Sequence, residues 1–143
     1  MKFAKPILLL GILVLAPVCG SPQTRPAQRQ TMTRWTGKYP DQKFFAQPQI
    51  KAPLRRILTK ADYDSIGDYN LMIPIKRVGD YLVTYSTIKY SDPQENLSLA
   101  YGLKDNAVYV VFSKGDEHRK FSTKNNEFNL PDDVLKELGL KEE

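Results

Sequence analysis

The feature that most constrains the fold of this chain is a strict alternation of side chains over residues 97–103. In LSLAYGL, large apolar residues at every second position alternate with small ones. Because successive side chains of a strand point to opposite faces of a sheet, this period of two predicts a strand with one face in the core. Residues 81–90 (YLVTYSTIKY), 107–113 (AVYVVFS) and 117–122 (EHRKFS) predict three more strands, separated by short polar turns.

A compact apolar run at residues 71–75 precedes these strands and contains Pro74. Proline cannot donate a hydrogen bond to a strand ladder, so this segment belongs at a sheet edge or a bulge. Consecutive strands joined by short turns pair in antiparallel fashion. The pattern therefore predicts an antiparallel meander of four or five strands.

Helical signals lie on both sides of the strand region. Between residues 41 and 58, two prolines predict two short helices instead of one long helix, because proline costs about 3 kcal/mol inside a helix. Thr59 has the position of a cap that starts another short helix. Residues 129–139 predict a C-terminal helix, with Pro131 at its start and Gly139 at its end. N-terminal short helices, a meander sheet and a C-terminal helix together predict an α+β fold.

The first 20 residues, MKFAKPILLLGILVLAPVCG, predict a signal peptide for export. Their apolar stretch is shorter than the about 20 residues that span a membrane. Two processing routes fit the sequence. A general signal peptidase would cut after Gly20, and Pro17 before the cysteine favours this route. Alternatively, Cys19 is lipidated and anchors the protein to a membrane, which the Gly20-Ser21 pair suits. The predicted location is periplasmic or secreted, or membrane-anchored by lipid.

Residues 21–34 (SPQTRPAQRQTMTR) predict a disordered arm or linker, because they have little apolar surface to bury. Residues 35–143 have the length of a single α+β domain. The net charge of +5 arises from basic residues of the signal peptide and the arm, since all 16 acidic residues lie at Asp41 or later. In residues 35–143 the basic residues equal the acidic ones in number, so the charge favours no nucleic-acid partner.

Few residues suit catalysis or metal binding. The single cysteine, Cys19, lies in the signal peptide, and His118 is the only histidine. Zinc sites of the usual kind are therefore excluded, and a Ser-His-Asp triad would have to use His118 without a Gly-x-Ser-x-Gly elbow. Asp62, Asp64 and Asp68 lack the glycine and distal glutamate of an EF-hand. We expect no catalysis, no cofactor and no metal.

Tyrosines cluster around the predicted long strand and its loop, at Tyr81, Tyr85, Tyr90 and Tyr101. Tyrosines commonly anchor protein interfaces, because they bury a large area at low entropy cost. They are also ordinary strand residues, so interface and sheet packing are both open interpretations. The residues that we expect to contact a partner are Tyr85, Lys89, Tyr90, Asp92 and Pro93.

The order of apolar, glycine and proline positions over residues 35–112 is similar to that of a known family. It comprises Trp35-Thr-Gly-Lys-Tyr-Pro-Asp41, Phe44-Phe45, Pro48, Ile50, Leu54, Leu58, Tyr63, Pro74-Ile75 and Gly79-Asp-Tyr-Leu-Val83. These positions resemble the exported bacterial Ivy-like proteins, named after the inhibitor of vertebrate lysozyme. The resemblance implies an antiparallel sheet flanked by helices, a periplasmic address and no catalysis.

In those inhibitors a loop after the long strand carries a Cys-Lys-Pro-His-Asp-Cys motif, which is closed by a disulfide and whose histidine enters the lysozyme cleft. The matching residues 86–96 (STIKYSDPQEN) contain neither cysteine nor histidine. Lys89, Asp92 and Pro93 are the residues reminiscent of the motif, so no inhibitory residue is carried over.

The sequence therefore predicts a non-catalytic, exported binding protein of the bacterial envelope, with a protein or a cell-envelope component as its partner. Inhibition of a lysozyme-like enzyme is the specific form that the resemblance implies. The alternative is an envelope structural or assembly lipoprotein anchored through Cys19, which would contact the membrane through that lipid.

Overall fold

The structure, a computed structural model, describes residues 31–125 and 127–141. Six strands form one antiparallel sheet in which neighbours follow chain order. β1 and β2 both pair with β3, so the sheet has the predicted meander topology, and the α+β prediction is confirmed. The strands are Leu71–Met72 (β1), Lys76–Val78 (β2), Tyr81–Thr87 (β3), Glu95–Gly102 (β4), Val108–Lys114 (β5) and Glu117–Ser122 (β6).

β1 and β2 are two pieces of one edge strand, separated at Pro74. β1 lies opposite Ser86 and Thr87, and β2 lies opposite residues 81–83. Pro74 has no N–H to donate to the β3 ladder, so the edge strand is interrupted there. Its position at a sheet edge agrees with the prediction.

A short N-terminal segment covers the outer side of this edge strand at Ile75. The Gly37 N–H donates to the Ile75 carbonyl at 2.7 Å, and the Ile75 N–H donates to the Lys38 carbonyl at 2.8 Å. Gly37 has a φ of 80°, and this combination is the geometry of a G1 β-bulge. The backbone groups of Ile75 are thereby paired on the edge side.

β3 ends at Thr87, whereas the composition predicted a strand that continues to Tyr90. Tyr90 has a φ of 63°, which lies outside the β region. The chain turns after Thr87, and the Ile88 N–H donates to the Glu95 carbonyl at 3.0 Å to close the turn. Residues 88–94 are therefore a loop.

The helices are α1 (Gln42–Phe45), α2 (Pro48–Ile57), α3 (Lys60–Ser65) with a 3₁₀ turn at Ile66–Asp68, and α4 (Asp132–Glu137). Two short helices, α1 and α2, form between residues 41 and 58, as predicted. The Thr59 side chain caps α3 by accepting from the Asp62 N–H at 3.1 Å. Within the described residues, no helix combines the length and the apolar character needed to cross a membrane.

The sheet separates two apolar cores. We call the side packed against α1–α3 the front face, where Leu99 lies in one buried cluster with Leu54 of α2. We call the other side the back face, where Ala100 and Tyr109 lie in a second cluster with Val134 of α4. Because α4 has only six residues, it covers part of the back face.

An ion pair joins the front-face helices to the last strand. Arg119 Nη2 lies 2.8 Å from Asp62 Oδ1. The Arg119 guanidinium also lies over the rings of Phe112 and Phe121, at 5.3 and 5.9 Å from their centroids. The hydrogen bond from Arg119 is the main cause that lowers the pKa of the Asp62 carboxyl.

The packed part of the chain begins before Trp35. Met32 is completely buried, and residues 31–33 are helical. These residues belong to the segment 21–34, for which the sequence predicted a disordered arm or linker. The composition of this segment did not indicate that Met32 packs into the core. The predicted signal peptide, Cys19 and residues 21–30 lie outside the described residues.

Candidate functional site at the loop end of the sheet

The β3–β4 loop (88–94) and the β5–β6 turn (115–116) lie at the same end of the sheet, which we call the loop end. Hydrogen bonds from within the loop fix its shape. The Ser91 hydroxyl donates to the Ile88 carbonyl at 3.1 Å and accepts from the Glu95 N–H at 2.8 Å. The Gln94 side-chain amide donates to the Thr87 hydroxyl and to the Ile88 carbonyl. The loop is therefore held to the ends of β3 and β4.

Tyr90 projects from this loop into solvent. Its side chain is 90% exposed. Its left-handed backbone conformation costs about 1 kcal/mol or more for a residue with a side chain. The Lys89 ammonium lies 4.7 Å from the centroid of the Tyr90 ring, within the range of a cation–π interaction. Core packing thus gives no reason for an aromatic residue at this position.

Asp92 and Pro93 lie in the second half of the loop, next to the β5–β6 turn. The Gly115 N–H donates to the Gln94 carbonyl at 3.2 Å. A side chain added at Gly115 would lie 3.5 Å from Pro93 Cβ, and Gly115 has a φ of 56°. The two connections therefore pack together, and glycine suits the turn because of its backbone conformation.

An apolar groove borders the loop end along the β1 edge. It has a volume of 470 Å³, and Tyr39, Leu71, Ile73 and Tyr85 contribute to its walls. Tyr39 is 60% exposed and Leu71 is 46% exposed. Since β1 pairs Leu71 with Thr87, the groove lies next to the first residues of the loop. Neighbouring exposed apolar side chains of this kind are typical of contact surfaces.

A row of polar side chains crosses the back face beside the loop end. Strand pairing places Thr87 opposite Asn96, Asn96 opposite Ser113, and Ser113 opposite His118. We call these four residues the polar row. Further along the same face, Val83, Ala100 and Tyr109 form the apolar row against which α4 packs. The back face is thus apolar under α4 and polar next to the loop.

The polar row opens into a cleft of 420 Å³, which we call the polar cleft. Its walls include Tyr85, Asn96, Ser113, His118 and the chain at residues 138–140. Asn96 Oδ1 is buried and accepts no hydrogen bond from any described residue. An unsatisfied buried acceptor of this kind costs about 1–3 kcal/mol. A buried polar atom without a hydrogen bond lowers stability, so its presence needs another reason.

His118 and Ser113 are in direct contact. His118 Nδ1 lies 2.8 Å from Ser113 Oγ. A serine nucleophile activated by histidine also needs a third group that orients the ring. Among the described residues, no carboxylate pairs with His118, and no cluster of three or more His, Cys, Asp or Glu side chains is placed to hold a metal. The contact is a cross-strand hydrogen bond at the wall of the polar cleft.

The structure brings the five predicted contact residues to one end of the protein. Lys89, Tyr90, Asp92 and Pro93 lie in the loop, and Tyr85 lies on β3 between the apolar groove and the polar cleft. Tyr85 is uncharged near neutral pH, and burial raises the pKa of its hydroxyl further above that range.

The other tyrosines of the predicted cluster serve packing. Tyr101 is completely buried in the front-face core, and Tyr81 packs edge-on against Tyr109 at a centroid distance of 6.3 Å. Packing therefore accounts for Tyr81 and Tyr101, and it does not account for the exposed Tyr90.

The polar row was missed at the level of sequence. His118 is exposed on β6, and its contact with Ser113 was not among the predictions. The signal was present in the turn at residues 114–116, because a two-residue connection pairs Lys114 with Glu117 and Ser113 with His118.

Comparison of this chain with protein-family models, with curated proteins and with solved structures gives no match.

Proposed function

We propose that this protein is a non-catalytic, exported binding protein of the bacterial envelope that recognises a protein partner through the loop end. The observation that carries the proposal is the exposed Tyr90 ring on a loop held by its own hydrogen bonds. Because the loop is already held in shape, binding through Tyr90 requires little further ordering of the loop, and tyrosine is enriched at interface hot spots.

The surroundings of Tyr90 support a protein partner. Lys89 and Asp92 supply charges of both signs at the margin, and the apolar groove with Tyr39 and Leu71 supplies further contact area. An apolar centre with a polar rim is the usual anatomy of a protein interface. Export is supported by the N-terminal signal pattern of residues 1–20.

A lysozyme-like enzyme is the first partner to test, since the Ivy-like resemblance implies it. The loop that corresponds to the inhibitory motif is here shaped by Ser91 and Gln94 in place of a disulfide. Its outermost side chain is that of Tyr90, so inhibition by this protein would have to act through a tyrosine in place of a histidine.

The anchoring alternative concerns the processing site. If Cys19 carries a lipid, the protein is an envelope structural or assembly lipoprotein that presents the same loop end from a membrane surface. The Gly20-Ser21 pair favours this form. Mass spectrometry of the mature N-terminus distinguishes the two, because a diacylglyceryl cysteine excludes the cut after Gly20.

The test compares purified mature protein with Tyr90→Ala in two assays, inhibition of several lysozyme types and capture of partners from envelope extract. Tyr90→Phe is the matched variant because it keeps the ring, and Lys60→Ala alters a distant, 90% exposed side chain. We expect capture by the unchanged protein, Tyr90→Phe and Lys60→Ala, and loss with Tyr90→Ala. Flat dose responses for every lysozyme would exclude lysozyme as the partner, and equal capture by Tyr90→Ala would exclude the loop.

A further inference from the structure

We propose that the polar cleft binds a small, uncharged, hydroxyl-rich ligand of the size of one or two sugar rings. This site adjoins the surface around Tyr90 at Tyr85, but the inference does not depend on a protein partner. It rests on the placement of Asn96, Ser113 and His118 on the back face and on the unsatisfied Asn96 side-chain oxygen.

The two inner positions of the polar row, Asn96 and Ser113, do not owe their polar side chains to solvent exposure. Two rows away on the same face, Val83, Ala100 and Tyr109 occupy equivalent positions and pack under α4. Asn96 and Ser113 are directly paired on neighbouring strands and are both largely withdrawn from solvent. Asparagine is depleted in β-strands, so strand propensity does not account for Asn96 at this position. Departures from this rule are expected where a site performs a function.

The cleft offers donors and acceptors that a hydroxylated ligand can use. Asn96 Oδ1 is an acceptor without a partner among the described residues. His118 is bonded to Ser113 through Nδ1, which leaves Nε2 as a second ring atom that can donate or accept according to the tautomer. A hydroxyl group both donates and accepts, so it can satisfy Asn96 and pair with His118 in either tautomer.

The charges around the cleft favour a neutral ligand. The charged side chains of its walls are Lys136 and Glu137, which have opposite signs. Glu137 also forms an ion pair with Lys76, which leaves Lys136 as a single further cation in the lining. One cation is not the cluster of like charges that selects a phosphate or a carboxylate, so we expect hydrogen bonds to the polar row, and not charge, to determine the ligand.

The size and shape of the cleft fit one or two rings. Its volume of 420 Å³ falls in the range of about 300–1,000 Å³ for small-molecule sites. Tyr85 contributes an aromatic wall, and the face of such a ring carries partial negative charge. That face suits the C–H groups of a sugar ring, while the hydroxyls reach the polar row.

The experiment is a titration of ¹⁵N-labelled mature protein followed by amide chemical shifts. The probes are N-acetylglucosamine, its β-1,4-linked dimer, glucose and the charged sugar glucuronate. We expect saturable shifts of the Asn96, Ser98, Ser113 and His118 amides with the neutral sugars, and weaker binding of glucuronate. A free sugar and the terminal sugar of a glycan have the same hydroxyl groups. Tighter binding of the β-1,4-linked dimer than of N-acetylglucosamine itself would indicate that the natural ligand is a glycan.

Asn96→Leu removes the unsatisfied acceptor and should weaken binding about tenfold, without lowering the melting temperature. His118→Ala alters an exposed side chain, so it keeps the test valid if Asn96→Leu does not fold, and it should also weaken binding. Asn129→Leu, an exposed asparagine outside the cleft, is the matched control and should bind normally. Absence of saturable shifts with every neutral sugar, or unchanged binding by folded Asn96→Leu or by His118→Ala, would overturn the proposal.

Discussion

Replacing Arg119 by methionine should lower the free energy of unfolding by about 2 kcal/mol. The Asp62 side chain is only 12% exposed, so its hydrogen-bonded ion pair with Arg119 should contribute about 1 kcal/mol after solvent screening of the half-exposed guanidinium. The contacts of the guanidinium with Phe112 and Phe121 should add about 0.5 kcal/mol each. Methionine keeps most of the unbranched side chain, so the loss reports the charged group.

Urea denaturation of the unchanged protein, Arg119→Met, Asp62→Asn and the double variant measures this contribution. The double-mutant cycle should give a coupling energy of about 1 kcal/mol, because the two side chains are in direct contact. For a domain of this size, the loss from Arg119→Met corresponds to a fall in melting temperature of about 8–10 °C. Lys60→Met is the matched control, since its ion pair with Asp64 is exposed and should contribute less than about 0.5 kcal/mol.

Acid should weaken the same contact. The pKa of Asp62 is lowered from its ordinary value of 3.8, chiefly by the Arg119 hydrogen bond, so the folded state favours the ionised form. Its contribution is present above the unfolded-state pKa and is lost as the pH falls through the lower folded-state pKa. Arg119→Met should therefore lose less stability below about pH 4 than the unchanged protein. A coupling energy under about 0.3 kcal/mol, or equal acid sensitivity of the two proteins, would refute this reasoning.

Two further predictions concern the front-face core and the β4–β5 turn. Burial raises the pKa of Tyr101 to about 12, so its contribution to stability is present below about pH 10 and is lost as the pH rises from 10 to 12. Tyr101→Phe should remove the part of the alkaline stability loss that comes from Tyr101. The variant also lacks the hydrogen bond to Asn106, so it should be about 1 kcal/mol less stable at neutral pH. Urea denaturation at several pH values tests both effects. Gly102→Ala would place Cβ against Asp105 Oδ1, which accepts a hydrogen bond from the Ala107 N–H, and should destabilise the protein by about 1–3 kcal/mol in urea. An unchanged midpoint would show that Asp105 moves aside freely.

Much of the fold was accessible from the sequence because local patterns agreed with each other. The alternation over residues 97–103 and the turn residues that follow it define β4 and β5, and Pro74 marks the interrupted edge. The end of β3 was not accessible. Residues 88–90 have a strand-like composition, but the left-handed conformation of Tyr90 depends on hydrogen bonds that Ser91 and Gln94 make within the loop.

Part of the candidate site could likewise be predicted from the sequence, and part could not. The surface position of Asp92 and Pro93 could be predicted, because a polar segment between two strands lies at the surface. Lys89 and Tyr90 were predicted to continue the strand, and they lie in the loop instead. Predicting the polar row requires the pairing register of β3, β4, β5 and β6. No single segment of the sequence determines that register. The contacts of Arg119 with Asp62 and of Met32 with the core join residues far apart in the chain, so local patterns could not reveal them.

The pairing of Gly37 and Lys38 with Ile75 has a consequence for association between copies of the chain. A free sheet edge can recruit another strand, and proteins avoid this by interrupting, covering or charging their edges. Here one edge is interrupted at Pro74 and covered at Ile75, and the other edge, β6, carries exposed charged side chains at 117, 119 and 120. Neither edge presents a long apolar strand, so edge-to-edge aggregation is disfavoured even where the protein accumulates at high local concentration.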